Sequence, residues 1–536
     1  MSLLSLRDLS LRIGETEILD RVSFDISPGE IFGLIGESGS GKSMTALSVM
    51  GLLPRRAIAT GTITVDGTEI ITAPEDALCT LRGNAMGMIF QEPMTALNPV
   101  KTIGDQVAET VRLHQGLSRR AARAVARDVL DRVELPAHRF PLDRFPHELS
   151  GGQRQRVVIA MAIANQPKLL IADEPTTALD VTTQAQILAL LKRLVDEDAM
   201  GLMLITHDLG VVADIADNVA ILRRGQVVEA GPAVSVFNTR AHPYTQALYD
   251  ASSHQPARRI PPADTPVLTL SDVVRDYPLP RESLFGKRRH LRAVDGVSFT
   301  LKRGENLGLV GESGCGKSTL TRAILALDPI QGGRIAVHGQ EITAETRVAR
   351  EIRRHMQVVF QDPYSSFNPR QRVARLVAEP FHLIEAPPRG AERRDRVVAA
   401  LEQVGLCADD ADKFIHEFSG GQRQRIAIAR ALIIAPDLII LDEAVSALDV
   451  SIRAQILDLL ADLSARLNLS YLFISHDLSV VRAITDRVLI MRAGKIVEEG
   501  PTEDVFAAPR HPYTKGLIAA ATDIDAALAA RNGNGA

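Results

Sequence analysis

The chain has 536 residues, 46% hydrophobic and 24% charged, a balance that supports real cores and leaves room for more than one domain. Its formal net charge of -4 provides no basic footprint, which argues against a nucleic-acid partner. Cys79, Cys315 and Cys407 lie far apart with no CxxC pair, so neither a disulfide framework nor a zinc site is expected from them, and the usage fits a reducing cytosol.

The opening residues, MSLLSLRDLSLRIGETEI, alternate and carry charge early, which reads as a strand rather than a secretory signal. The apolar run EIFGLI then leads into GESGSGKS at Gly36–Ser43, the spacing GxxxxGK[ST] between a strand and a helix. Gly36, Ser38, Gly39 and Gly41 let the backbone wrap a phosphate with its N–H groups, and the helix behind presents its positive end. Lys42 is placed to neutralise β- and γ-phosphates and Ser43 to ligate Mg²⁺. GTITVDG resumes the alternation expected of an antiparallel region, and Gln91 follows in IFQEP. Helical periodicity in RRAARAVARDVLDRV marks an inserted helical segment before LSGGQRQR at 149–156. There Ser150, Gly152 and Gln153 open a helix as an anion-seeking N-terminus.

KLLIADE and LMLITHD are short apolar runs of the kind buried in parallel sheets, separated by the helical QAQILALLKRLVDE. Asp173 ends the first run as a metal-holding carboxylate should. Glu174, beside it, is assigned as the general base that orients water. Asp180 in TALD, His207 in ITHD and the phrase HPYT at 242–245 complete this half. A proline-rich stretch, SHQPARRIPPADTP at 253–266, reads as a short semi-rigid linker, with four prolines in 14 residues.

The same phrases then return in the same order. Gly311, Ser313, Gly314, Gly316, Lys317 and Ser318 repeat the first loop at an offset of 275. Gln361 repeats Gln91 at 270, and Ser419, Gly421 and Gln422 repeat SGGQ at 269. Asp442, Glu443, Asp449, His476 and a second HPYT at 511–514 follow, also at 269. A whole domain has been duplicated. The expected division is 1–252, linker 253–266, 267–522 and a disordered tail 523–536. No stretch approaches the roughly 18 uncharged apolar residues of a spanning helix, so the chain is not expected to enter the bilayer by itself.

Taken in order, the P-loop, glutamine, SGGQ, DE, ALD and histidine resemble the ATP-binding-cassette ATPases over nearly the whole chain. The resemblance implies an α/β fold of tandem P-loop NTPase domains, each with a RecA-like core, an antiparallel β subdomain and a helical subdomain. It also implies ATP hydrolysis with Mg²⁺, and cassettes stacked head to tail. Lys42, Ser43, Gln91, Asp173, Glu174 and His207 would then share a pocket with Ser419, Gly421 and Gln422. Lys317, Ser318, Gln361, Asp442, Glu443 and His476 would share theirs with Ser150, Gly152 and Gln153.

By the same resemblance Gln91 and Gln361 touch Mg²⁺ and water, His207 and His476 reach the γ-phosphate, and Asp180 and Asp449 lie on a loop crossing to the opposite site. Ser43, Gln91, Asp173 and Ser318, Gln361, Asp442 form the two Mg²⁺ sets. Tyr277 matches the aromatic that stacks on adenine, a place Ile13 takes in the first copy. Ala444 follows Glu443 where Pro175 follows Glu174, and Cys315 inside the second loop is read as incidental.

FQEPMTALNP and FQDPYSSFNPR, with HPYT after each copy, are similar to the peptide, nickel and opine importers. The expected partners are two transmembrane permease subunits and an extracytoplasmic solute-binding protein. The chain would sit peripherally on the cytoplasmic face of the inner (plasma) membrane. Met94, Leu97, Tyr364 and Phe367 are candidates equally for the groove that receives a permease helix and for ordinary packing, and Lys287, Arg288, Arg289 and His290 read as a solvated loop. The alternative is a soluble tandem ATPase of translation or DNA repair. Those proteins carry a long charged linker or inserted zinc or coiled-coil modules, whereas only 114 residues separate Gly36 from Ser150.

Overall fold

The computed structural model describes residues 2–91, 93–177, 179–257, 263–279, 289–342, 350–362, 366–446 and 448–533. Tyr364, Lys287, Arg288 and part of the linker lie outside the described residues, as does the Met94 side chain. The chain divides into two compact units, Met1–Ser252 with Thr522–Ala536, and Ser253–Ala521.

In the first unit, β1 (Leu4–Ile13), β2 (Thr16–Ile26), β4 (Ala57–Val65) and β5 (Thr68–Glu69) form an antiparallel sheet in the order β2-β1-β4-β5. Alternate leucines of β1 point inward, and the ladder slips between Leu6 and Leu9, where Asp8 takes a φ of 49°. The second sheet runs β10-β9-β3-β8-β7-β6. It comprises β3 (Ile31–Ile35), β6 (Met86–Ile89), β7 (Leu169–Asp173), β8 (Gly201–Ile205), β9 (Asn218–Arg223) and β10 (Gln226–Pro232). Only β10 is antiparallel to its neighbour, and β3 and β8 are buried along their full length. That burial on both faces is why IFGLI and GLMLI are uninterrupted rather than alternating.

Helices Ile103–Gln115 and Arg119–Arg132 build the inserted segment, capped by Thr102 and Ser118. They turn Val107, Val111, Ala122 and Ala126 into the same core as the sheet.

The second unit repeats the plan. Its antiparallel sheet is β12-β11-β14-β15, from β11 (Pro266–Pro278), β12 (His290–Lys302), β14 (Gly332–Val337) and β15 (Gln340–Glu341). Its main sheet, β16-β17-β18-β13-β19-β20, uses β13 (Asn306–Val310), β16 (Met356–Val359), β17 (Leu438–Asp442), β18 (Ser470–Ser475), β19 (Arg487–Arg492) and β20 (Lys495–Pro501). The order matches the first sheet strand for strand. Among the described residues no helix is long and apolar enough to cross a membrane.

The tail corrects one expectation. Instead of being disordered, Ile524–Gly533 is a helix that packs on the first unit. Leu528 is buried in that unit's core, and Ile524 and Ala527 rest against it. Asp523 accepts from the N–H of Ala526 at the helix start, and Arg531 donates to the carbonyls of Ala213 and Ala216. The sequence AALAARNGNGA looks featureless because its helix needs only one large apolar side chain to find a partner.

Candidate functional site

Each Gly-rich loop joins a buried parallel strand to a helix, Lys42–Val49 in the first unit and Lys317–Ile324 in the second. A Cβ on Gly36 would lie 2.2 Å from the carbonyl oxygen of Leu222, and one on Gly311 2.2 Å from that of Met491, so neither position admits a side chain. Lys42 and Lys317 are almost wholly buried, at 7% and 6% exposure. Lys42 Nζ donates to the carbonyls of Gly36 (2.7 Å) and Glu37 (2.9 Å). Lys317 repeats this with Gly311 (2.5 Å) and Glu312 (3.0 Å). Both lysines are therefore held along their own loop.

Asp173 and Asp442 end β7 and β17, beside the helix that follows each loop. The Ser43 hydroxyl and the Lys42 ammonium lie close enough to Asp173 to favour its charged form. Burial, reinforced by the charge of Glu174, raises the Asp173 carboxyl above the usual range. Burial and Glu443 push Asp442 up to about 6. Asp173 Oδ1 is buried without a hydrogen-bond partner. A buried carboxylate oxygen that lacks a donor, next to a serine hydroxyl, is the hard-oxygen set that suits Mg²⁺.

Glu174 and Glu443 both take a φ of 50°, a conformation rare for a side chain of this size. This turn separates the glutamate from the aspartate before it. It is the same before Pro175 and before Ala444, so the proline does not impose it. Glu174 Oε1 lies 3.2 Å from His207 Nδ1, while Oε2 accepts from Gln91 Nε2 (2.8 Å) and Thr177 Oγ1 (2.9 Å). Burial works against the charge, but the histidine, threonine and glutamine outweigh it and hold Glu174 at about 2. Glu443 keeps the histidine contact, at 3.3 Å from His476 Nδ1. Its carboxyl too is below the usual range, despite burial, chiefly through His476. The second half is more sparsely bonded: Ser446 donates to the Glu443 backbone carbonyl, and no described hydrogen bond links Gln361 to Glu443. Carboxylates held this low are ionised at neutral pH and are suited to orient water rather than store a proton.

SGGQ opens the helices Gly151–Ile163 and Gly420–Leu432. Ser150 and Ser419 cap them, each accepting from the glutamine N–H at 3.4 Å, while Gln153 and Gln422 accept in return from the serine N–H at 3.0 Å. The second glycine has a packing role that the spacing did not reveal. A Cβ on Gly152 would meet Thr183 Cγ2 at 2.3 Å, and one on Gly421 would meet Ile452 Cγ2 at 2.5 Å. Asp180 caps the helix Val181–Asp198, accepting from the Thr183 N–H and both threonine hydroxyls; Asp449 stands at the same N-cap position in the second unit.

Tyr277 lies on β11, its hydroxyl donating to Asp328 (2.9 Å) and the Arg275 guanidinium 4.4 Å over its ring. Burial raises the Cys315 thiol above its ordinary range, so it is not an activated nucleophile.

HPYT reaches the loop, which the sequence reading had not anticipated. The Glu37 N–H donates to Tyr244 Oη (3.2 Å) and the Glu312 N–H to Tyr513 Oη (3.0 Å). Arg223 and Arg492 cover the two rings at 4.8 and 4.9 Å. The one available signal is that HPYT recurs at the same offset as SGGQ, the DE pair and the histidine. Replacing Tyr244 and Tyr513 by Phe strands two loop N–H groups. Each change is expected to lower the stability of its unit by about 1 kcal/mol and to weaken nucleotide binding there less than tenfold. Thermal unfolding with and without nucleotide checks this.

Comparison with known proteins places these features. A family model described as ABC transporter matches residues 19–177 and 294–446. A second, described as the C-terminal region of oligopeptide/dipeptide transporters, matches 228–267 and 497–536. The chain is 48% identical over 534 residues to the peptidoglycan transport ATP-binding protein YejF of Agrobacterium fabrum, covering 98% of this chain and 97% of that one. It is likewise 48% identical over 536 residues to the glutathione import ATP-binding protein GsiA of Escherichia coli K12, covering 93% and 85%. Among solved structures, cbiO1 from Clostridium perfringens, part of the transporter complex cbiONQ, aligns with 46% of this chain and 92% of its own at 28% identity and a TM-score of 0.40.

Proposed function

The chain belongs to the ABC transporter family, and from that membership we propose that it is the ATP-hydrolysing subunit of an importer for peptides or related small solutes. The observation that carries the solute class is the oligopeptide/dipeptide transporter C-terminal region, present after both cassettes. Relatives named for glutathione import and peptidoglycan transport support it. The partners would be two membrane-embedded permease subunits and an extracytoplasmic solute-binding protein, with this chain on the cytoplasmic face of the inner membrane.

Serving as the hydrolytic machinery, Lys42 and Lys317 leave their loop carbonyls for the nucleotide phosphates. Ser43 with Asp173, and Ser318 with Asp442, would hold Mg²⁺, with Gln91 and Gln361 able to add an amide oxygen. When bound, the ion neutralises charge on the β- and γ-phosphates. Glu174 and Glu443 orient water, and His207 and His476 hold those glutamates ionised until a γ-phosphate competes for the imidazole. The SGGQ helix starts, whose serines are exposed, would close each pocket by approaching the nucleotide of the other copy.

The test is transport. Cells lacking this chain should lose uptake of a labelled di- or tripeptide and regain it with the natural chain but not with the Glu174→Gln, Glu443→Gln form. Co-purification from detergent-solubilised membranes should bring down a permease pair. Recovery of ribosomes or DNA-repair factors in its place, with peptide uptake unchanged, would reverse the assignment.

A further inference from the structure

We propose that the second unit carries a site for a divalent first-row transition cation, built from His338, His355 and Asp437. The three come from separate pieces of chain. His338 occupies the turn between β14 and β15, His355 ends the helix Arg350–His355, and Asp437 immediately precedes β17. Their ligand atoms all lie within 4.8 Å of one another. His338 Nε2 is 3.2 Å and His355 Nδ1 2.5 Å from the same carboxylate oxygen, Asp437 Oδ2. Neighbouring ligands of a tetrahedral zinc ion sit about 3.3 Å apart, given metal–ligand bonds of about 2.0–2.1 Å. The first distance already matches, and the second needs only a modest opening.

Two imidazoles and one carboxylate are the donor set that favours zinc and its neighbours over magnesium or calcium. No cysteine is required. The two rings stand edge to face, with centroids 5.1 Å apart and planes at 73°, so they converge without stacking. Arg303 holds the other carboxylate oxygen, Oδ1, at 3.2 Å, which fixes the orientation of Oδ2 toward the histidines. The side chains remain 18–37% exposed, leaving room for water as the remaining ligand.

The duplicated unit supplies the control. The Asp437 N–H donates to the His355 carbonyl at 2.9 Å, as the Lys168 N–H does to Ala85, and the His338 N–H donates to Val267 as that of Asp66 does to Leu3. The equivalents of His338, His355 and Asp437 are therefore Asp66, Ala85 and Lys168. There the two segments are joined by a plain ion pair, Lys168 Nζ to Asp66 Oδ2 at 2.7 Å. The second unit has exchanged that lysine–aspartate bridge for three convergent metal-ligand side chains. β17 leads from the residue after Asp437 to Asp442, which Glu443 follows, so the site sits roughly 17 Å along the strand from that carboxylate pair. A cation there would tie the antiparallel sheet to the strand that carries the catalytic carboxylates.

Zinc itself is the probe. The full-length chain, stripped with a chelator and free of nucleotide, is dialysed against zinc in excess magnesium and analysed for bound metal. One zinc per chain is expected. His355→Ala and Asp437→Asn should each weaken binding at least tenfold. The double change His338→Asp, Asp437→Lys removes two of the three ligands, sets an aspartate–lysine pair in their place as in the first unit, and should abolish binding. Retention of no zinc by the natural chain, or equal retention by that double variant, overturns the proposal and leaves the cluster as an ion pair. Cobalt(II) substitution into the natural chain gives a second reading. Visible bands of a nitrogen–oxygen site support the assignment, whereas thiolate charge-transfer bands would place the metal on a cysteine and refute it.

Discussion

Converting Glu174 and Glu443 together to Gln should leave nucleotide bound and lower ATP turnover roughly 10²–10⁴-fold. The substitution preserves size and one acceptor oxygen, so loops and strands stay in place. What it removes is the full negative charge, which both glutamates keep because their carboxyls lie below the usual range, Glu174 at about 2. The single variants should differ. Glu174 has three side-chain partners, His207, Gln91 and Thr177. Glu443 has a contact with His476 alone among the equivalent groups. Glu174→Gln therefore disturbs a fuller network than Glu443→Gln, and each should silence its own site. Single-turnover hydrolysis with nucleotide mapped to each half checks the effect. Turnover of the double variant within tenfold of the natural chain would remove the glutamates from this role.

Nearly as large is the expected loss when Lys42 and Lys317 are both replaced by Ala. Each ammonium is buried and donates to two carbonyls of its own loop, an arrangement that phosphate oxygens can replace at short range. Removing one such donor to developing charge costs about 10²–10³ in turnover. In addition, the ground-state triphosphate loses its main cation, so binding should weaken alongside catalysis, unlike in the glutamate variants. Equilibrium binding of a fluorescent ATP analogue separates the two cases. Unchanged affinity with reduced turnover would show the lysines acting in the transition state alone.

The contrast between these two pairs shows where reading the chain succeeds. Lys42 and Ser43 belong to one eight-residue phrase, Gly36–Ser43, whose chemistry is local, and Gly36 could be assigned to a backbone that must pass close to something. The partner was not legible: it is the Leu222 carbonyl of a distant strand. Pro175 follows Glu174 where Ala444 follows Glu443, yet both glutamates adopt the same φ, so that sequence difference leaves the turn unchanged. Gly152 and Gly421 looked like phosphate-seeking glycines and prove also to be the points where a neighbouring helix leaves no space for a Cβ. Tyr244 and Tyr513 looked like markers of a subfamily and turn out to brace the loop.

By itself, the order of residues determined that there are two cassettes, each carrying a Gly-rich loop, a DE pair and a histidine at fixed spacing, and that the parallel strands are buried. Each of those is a matter of residue type at short, fixed spacing, which helix and strand periodicity enforce directly. Only the tertiary structure decided that Gln91 meets Glu174 across 83 residues, that Tyr244 meets Glu37 across 207, and that the tail helix closes on the first unit. It also decided that His338, His355 and Asp437 converge where the other copy has a salt bridge. Contacts of that length depend on how whole sheets and helices pack, and spacing along the chain carries almost no record of which distant side chains packing will bring together.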